Sequence, residues 1–232
     1  IKIIINCAAY TAVEKAEFEQ ELADKVNHLA VANFAKISKE YNIKLVHIST
    51  DYVFDGKNSK PYNESDKPNP QSIYGSTKLN GEIAVRKINP KNSIIIRTSW
   101  VYSKYGNNFV KTMLSLAETN QKIEVVSDQF GSPTNAKDLA KNILLILPKI
   151  NCNNVEIYHF SNLGYCSWFE FCKEIFDLKN LDVDIFPIKS SLYKTVAKRP
   201  ANSILNSDLI MSKFNISIPD WKSSLKNTLK NF

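Results

Sequence analysis

The sequence predicts an α/β fold, a Rossmann-like, doubly wound parallel sheet with a smaller C-terminal α/β cap. Three observations predict it. Short strands rich in Ile and Val alternate with amphipathic helical stretches, the repeated βαβ pattern that builds a parallel sheet with helices on both faces. The 232 residues are 44% hydrophobic, enough to offset the ordering entropy of one large domain or two small ones. The segments that follow the strands are rich in Tyr, Thr, Ser and Trp, where open α/β sheets bind their ligands.

The first strand, residues 2–8, reads as apolar on both faces, as a central parallel strand does. A helical pattern follows over 18–41, with Leu22, Val26, Leu29, Ala30, Phe34 and Ile37 as its stripe. Residues 44–49 form the second strand, and a Pro- and Asn-rich loop over 50–72 leads into a helix at 74–87. A strand at 93–97, a helix at 108–118, a strand at 123–126 and a helix at 136–147 ending at Pro148 continue the alternation. Beyond a strand at 155–159 the pattern is mixed, with a helix at 168–176, a short strand at 183–186 and two short terminal helices. The division is therefore 1–150 for the sheet and 151–232 mainly for the cap, with elements interleaved between them.

Composition excludes several functions. The formal charge is +7, but its 30 basic residues are 27 Lys and three Arg, and the Lys are spread along the chain. Nucleic-acid readers use Arg forks and clustered patches, so no nucleic-acid partner is expected. Cys7, Cys152, Cys166 and Cys172 show no CxxC spacing and no neighbouring His pair, which gives no metal site and suits reduced thiols in a cytoplasmic protein. No apolar run reaches the roughly 20 residues of a membrane span, and nothing reads as a signal peptide. His28, His47 and His159 fall within helical or strand patterns and read as structural.

The chemistry is concentrated in Tyr74-Gly-Ser-Thr-Lys78. At the start of a helix, positions i and i+4 share a face, so the ammonium lies near the phenol. A neighbouring cation lowers a phenol's pKa and makes Tyr a usable acid or base. Thr50 directly follows the second strand, so its hydroxyl is expected at that strand's carboxyl end. Thr50, Tyr74 and Lys78 together can hold a substrate carbonyl with two donors and a tuning charge. The spacing alone is weak, since ten Tyr among so many Lys give about one such pair by chance.

Longer blocks add specificity: Ser49-Thr50-Asp51-Tyr52-Val53-Phe54-Asp55-Gly56, Tyr74 to Lys78 with Gly81-Glu82, Asn6-Cys-Ala-Ala-Tyr-Thr-Ala-Val13, Arg97-Thr-Ser-Trp-Val-Tyr102 and Asp128-Gln-Phe-Gly-Ser-Pro-Thr134. In these blocks the chain resembles the extended short-chain dehydrogenase/reductases and, more narrowly, the dTDP-4-dehydrorhamnose reductase family. The resemblance implies NADPH- or NADH-dependent reduction of dTDP-4-dehydro-L-rhamnose, with a nucleotide-sugar substrate bound by the cap and the cofactor by the first 150 residues. It implies that Tyr74 protonates the C4 oxygen, that Lys78 tunes Tyr74 and meets the nicotinamide ribose, and that Thr50 orients the keto group. Ala8, Ala9, Tyr10 and Thr11 would line the cofactor, and Asp51, Tyr52 and Trp100 the sugar. Arg199 is the candidate for the diphosphate, with a structural salt bridge as the alternative. Asp51 equally reads as a turn cap, and Tyr52 and Trp100 as core aromatics. The resemblance also admits a homodimer and Mg2+ at a dimer contact, for which no carboxylates here can be matched.

Two other functions fit the same blocks: reduction of another nucleotide-linked 4-keto sugar, and a non-catalytic role like that of the regulatory subunit of methionine adenosyltransferase. No GxxGxxG or GxGxxG occurs, and none of the six glycines, at 56, 75, 81, 106, 131 and 164, opens the first helix. The reading is of a chain lacking the N-terminal strands and the glycine-rich phosphate cradle of a typical member.

Overall fold

A computed structural model describes residues 1–230. In chain order the elements are β1 (Ile3–Asn6), α1 (Val13–Ala16), α2 (Gln20–Asp24), a π turn (Lys25–Leu29), α3 (Ala30–Glu40), β2 (Lys44–Thr50), α4 (Ile73–Ile88), β3 (Ile94–Thr98), β4 (Val101–Tyr102), α5 (Phe109–Thr119) and β5 (Lys122–Val126). They continue with β6 (Phe130–Gly131), β7 (Thr134–Asn135), α6 (Ala136–Ile146), β8 (Glu156–His159), β9 (Cys166–Ser167), α7 (Trp168–Lys179), β10 (Asp184–Ile188), β11 (Asn202–Ser203), α8 (Asp208–Phe214) and α9 (Trp221–Leu229).

The main sheet runs β1-β2-β3-β8 with every pairing parallel. The alternation of a strand's side chains divides its core in two. Ile94 and Ile96 face α6 and α8 through Leu139, Ile143, Ile146, Ile210 and Phe214, while Ile95 faces Val31, Ala35 and Val85 of α3 and α4. Each fully buried Ile of β3 contributes roughly 1.5–3 kcal/mol by leaving water. The register sets Asn6 beside His47 and Thr50 beside Thr98, so the carboxyl ends of three strands form one rim. Among the described residues no helix is long and apolar enough to cross a membrane.

A second core joins Tyr102 and Val110 to Phe171, Ile175, Trp221 and Leu225. The two bodies interleave. β8 completes the main sheet from beyond residue 150, whereas β5, which the alternation would add to that sheet, instead pairs in parallel with β10.

Two readings are corrected. β1 is an edge strand among the described residues, not a central one, and Ile3 and Ile5 stay partly exposed. The stripe expected on the first long helix is only half inward: Leu22, Leu29 and Ile37 are 48%, 47% and 43% exposed, while Val26 and Ala30 are half-buried and Phe34 packs against the Val31 and Ala35 core. The buried positions are Ala23, Asn27, Val31, Ala35 and Ser38. Small residues occupy that face because α4 packs closely on it. Gly81 shows how closely, since a Cβ there would lie 2.3 Å from the Asn27 carbonyl oxygen.

Candidate active site

The rim is built from β2 outward. Thr50 is the last residue of β2 and caps the short 3-10 turn Asp51–Val53, its Oγ1 accepting from the Tyr52 amide at 3.2 Å. The same hydroxyl donates to Asp51 Oδ1 at 2.9 Å and is near enough to the Tyr74 phenol to pull its pKa down. Asp51 is buried, and desolvation pushes its carboxyl up to about 6, with Thr50 and Ser203 pulling the other way.

Tyr74 is delivered by the first turn of α4. Ser72 caps that helix by accepting from the Gly75 amide, and Glu17 Oε1 accepts from the Ile73 amide at 2.9 Å. Gly75 permits the approach, because a Cβ there would lie 2.2 Å from the Tyr52 carbonyl oxygen. Tyr52 packs edge-on against Tyr74 with centroids 5.5 Å apart.

Lys78, one turn on, is buried, and its Nζ donates to the Ile48 carbonyl at 2.6 Å. Burial pulls its pKa down to about 8, against the raising pull of Glu82. Without ligand, Lys78 is not among the groups that set the Tyr74 pKa. Burial, with the Asp51 charge beside it, pushes the phenol up to about 12, and the group that lowers it is Thr50. The ammonium is turned to Ile48 and sits among Cys7, His47 and Glu82 instead.

The loop after β1 reaches the same rim. Asn27, at the centre of the π turn, accepts from the Tyr10 amide at 2.8 Å, donates to the Tyr10 carbonyl at 3.1 Å and reaches Thr77 Oγ1 on α4 at 3.2 Å. The Tyr10 phenol donates to Glu19 Oε2 at 2.6 Å. Ala8 and Thr11 remain exposed, so short side chains leave the rim open. Lys78 keeps two N–H donors beyond its bond to Ile48, a set suited to the hydroxyls of a ribose. These residues fit a nicotinamide dinucleotide's ribose. Among the described residues no group of three or more His, Cys, Asp or Glu is placed to hold a metal ion, so nothing marks a seat for Mg2+.

Trp100 and Arg199 lie toward the cap. Trp100 follows β3 with φ +48° and stacks on Trp168, centroids 3.4 Å apart and planes 7° from parallel. Arg199 Nη2 donates to Glu14 Oε1 at 2.9 Å, and its charge also reaches Tyr52. Arg199, Trp168, Phe109, Gln129 and Tyr193 line a cavity of about 420 Å3. A larger depression of about 810 Å3 near Lys104, Asn135 and Lys137 contains none of the expected site residues.

Sequence reasoning missed Trp168, Glu14 and Glu82. The first two are joined to Trp100 and Arg199 only by the fold. Glu82 carried a legible signal, standing four residues after Lys78 on one helical face.

A family model described as the RmlD substrate binding domain matches residues 1–232. The chain is 42% identical over 232 residues to a dTDP-4-dehydrorhamnose reductase of Sinorhizobium fredii, covering 97% of this chain and 78% of that protein. The chain belongs to the dTDP-4-dehydrorhamnose reductase family. It is also 42% identical to the spore coat polysaccharide biosynthesis protein SpsK of Bacillus subtilis, over 98% of this chain and 78% of that protein. The solved reductase of Bacillus anthracis, in complex with NADP, superposes with a TM-score of 0.94 at 41% identity, covering 99% of this chain and 80% of that one. A dTDP-glucose 4,6-dehydratase of Streptomyces venezuelae shares the fold at a TM-score of 0.83 and 16% identity.

Proposed function

We propose that the chain reduces dTDP-4-dehydro-L-rhamnose to dTDP-L-rhamnose with NADPH, in a cytoplasmic setting. The observation that carries this reading is the convergence of Thr50, Tyr74 and Lys78 on one rim of the parallel sheet, in a chain of this family. A bound NADPH supplies hydride to the C4 carbon of the sugar.

The side chains supply the remainder. Tyr74 gives its phenolic proton to the C4 oxygen, and a phenol held up to about 12 keeps that proton available at neutral pH. Thr50, beside Tyr74 at the end of β2, orients the carbonyl, and its hydroxyl turns from Asp51 to do so. Lys78, pinned at Ile48, keeps two further donors for the hydroxyls of the cofactor ribose. Ala8, Ala9, Tyr10 and Thr11 flank the same ligand. Tyr52 contacts the sugar with Asp51 backing it through Thr50, Trp100 stacks at the far side of the sugar, and Arg199 reaches the diphosphate from the cavity it lines.

The test is NADPH oxidation by wild type and Tyr74→Phe with the dTDP-4-keto sugar. Turnover by wild type and its loss in the variant support the reading. Equal rates overturn the proton-donor role, and activity only with a different nucleotide-linked 4-keto sugar overturns the substrate.

A further inference from the structure

The side of Lys78 away from the ligand rim is as strongly built as the rim. On the next turn of α4, Glu82 is 1% exposed. Its Oε1 accepts from the Ser49 hydroxyl at 2.5 Å and from Arg97 Nε at 2.9 Å, and its Oε2 accepts from Arg97 Nη2 at 2.7 Å. Ile48, whose carbonyl accepts from Lys78, and Ser49, whose hydroxyl donates to Glu82, are consecutive on β2. One strand thus clamps two successive turns of the helix. Arg97 reaches in from β3 and lies over the Phe54 ring, 5.0 Å from its centroid.

A buried ion pair is weak evidence of stability, because desolvation offsets much of its attraction. This one is bidentate, with the Ser49 hydroxyl as a third donor to the carboxylate, so it fixes the geometry of the helix face more than it adds stability. Its placement beside Lys78 gives it another role.

We propose that Glu82 is a positioning residue for Lys78: held by Ser49 and Arg97, it fixes the rotation of α4 on β2 and so the place of the lysine one helical turn away. The proposal rests on the reductase reading above. The groups facing Lys78 are the Cys7 thiol after β1, the His47 ring on β2 and Glu82 on α4, with Arg97 of β3 behind Glu82. Burial, followed by the Lys78 charge, holds His47 well below its usual range, and burial pushes the Cys7 thiol up. Both are uncharged at neutral pH, so Glu82 provides the opposing charge among these groups.

The experiment compares wild type, Glu82→Gln, Glu82→Gln/Arg97→Met and Ser49→Ala. The double variant removes both charges and covers the case in which Gln leaves Arg97 uncompensated. Two readouts are taken: the pH dependence of kcat/KM, and the apparent pKa of Lys78 from trace acetylation followed by peptide mass spectrometry. Glu82→Gln is expected to lower the Lys78 pKa by about one unit or more, shifting the basic limb of the profile equally, and the double variant, which also loses the repelling Arg97 charge, to lower it by less. A cooperative melt with Lys78 titrating as in wild type overturns the proposal. So does failure of both Gln variants to fold while Ser49→Ala folds with an unaltered rate and Lys78 titration. If wild type is inert toward the sugar nucleotide while Lys78 still shifts, the reductase reading fails and the positioning role stands.

Discussion

Thr50 donates its hydroxyl to Asp51 across 2.9 Å, which ties the end of β2 to a carboxyl buried behind the rim. The folded-state pKa of Asp51 is raised from 3.8 to about 6, so ionising it opposes folding. Below about pH 4 both states are protonated and nothing is lost. Between about 4 and 6 the unfolded chain releases its proton while the folded one keeps it, and stability falls as pH rises. Above that window the cost levels off on the order of 2–3 kcal/mol. Asp51→Asn is therefore expected to gain stability relative to wild type at pH 7.5 compared with pH 4, while losing activity. Urea denaturation at the two pH values checks it.

Removing the Tyr74 hydroxyl is expected to lower kcat/KM by about 10²-fold or more, the usual range for losing a positioned proton donor. NADPH affinity, measured by fluorescence titration, should change little. A Tyr74→Phe enzyme that also loses cofactor binding would show that the phenol positions the cofactor more than it serves the proton.

The Trp100 and Trp168 rings form one slab across the main body and the cap. Trp168→Ala is expected to raise the KM for the sugar nucleotide more than it lowers kcat, because it removes support from a binding surface and not a reacting group. A double-mutant cycle on the pair, read by chemical denaturation, should give a coupling of roughly 0.5–1.5 kcal/mol.

At Gly75 the obstacle to a side chain is backbone, the Tyr52 carbonyl oxygen, with Pro70 Cβ 3.1 Å from the same point. Gly75→Ala is expected to cost about 1–3 kcal/mol and to displace Tyr74, lowering kcat. Thermal melts and steady-state kinetics measure the two effects separately.

The parallel strands were legible because β2 and β3 are short buried runs bounded by turn residues, and Thr50 and Tyr74 fell where strand end and helix start put them. The orientation of the first long helix was only half legible. Ala23, Asn27 and Ser38 face α4 and the sheet, and hydrophobicity favours Leu22 and Leu29 over them, although close helix packing selects small residues. The destination of β5 was equally hidden, since its pairing with β10 is a contact some 60 residues distant in sequence. The electrostatics around Tyr74 were incompletely legible for a related reason. Spacing shows that Lys78 is near, and only the fold shows that the Ile48 carbonyl turns its ammonium aside.

The π turn at Lys25–Leu29 acts as a phase shift in the helix that holds it. One additional residue in a turn rotates everything upstream by about 100° around the axis, so the segments on either side obey the same periodicity out of step. Asn27 sits at the step and bonds both the Tyr10 backbone and Thr77, which makes this short irregularity the mechanical link between the first loop and α4. Shortening the turn by one residue would preserve helix content, leaving the far-ultraviolet circular dichroism almost unchanged. The damage would be to alignment: the loop would swing away from the rim, and a well-folded protein would have lost the registration between its two ligand-facing edges.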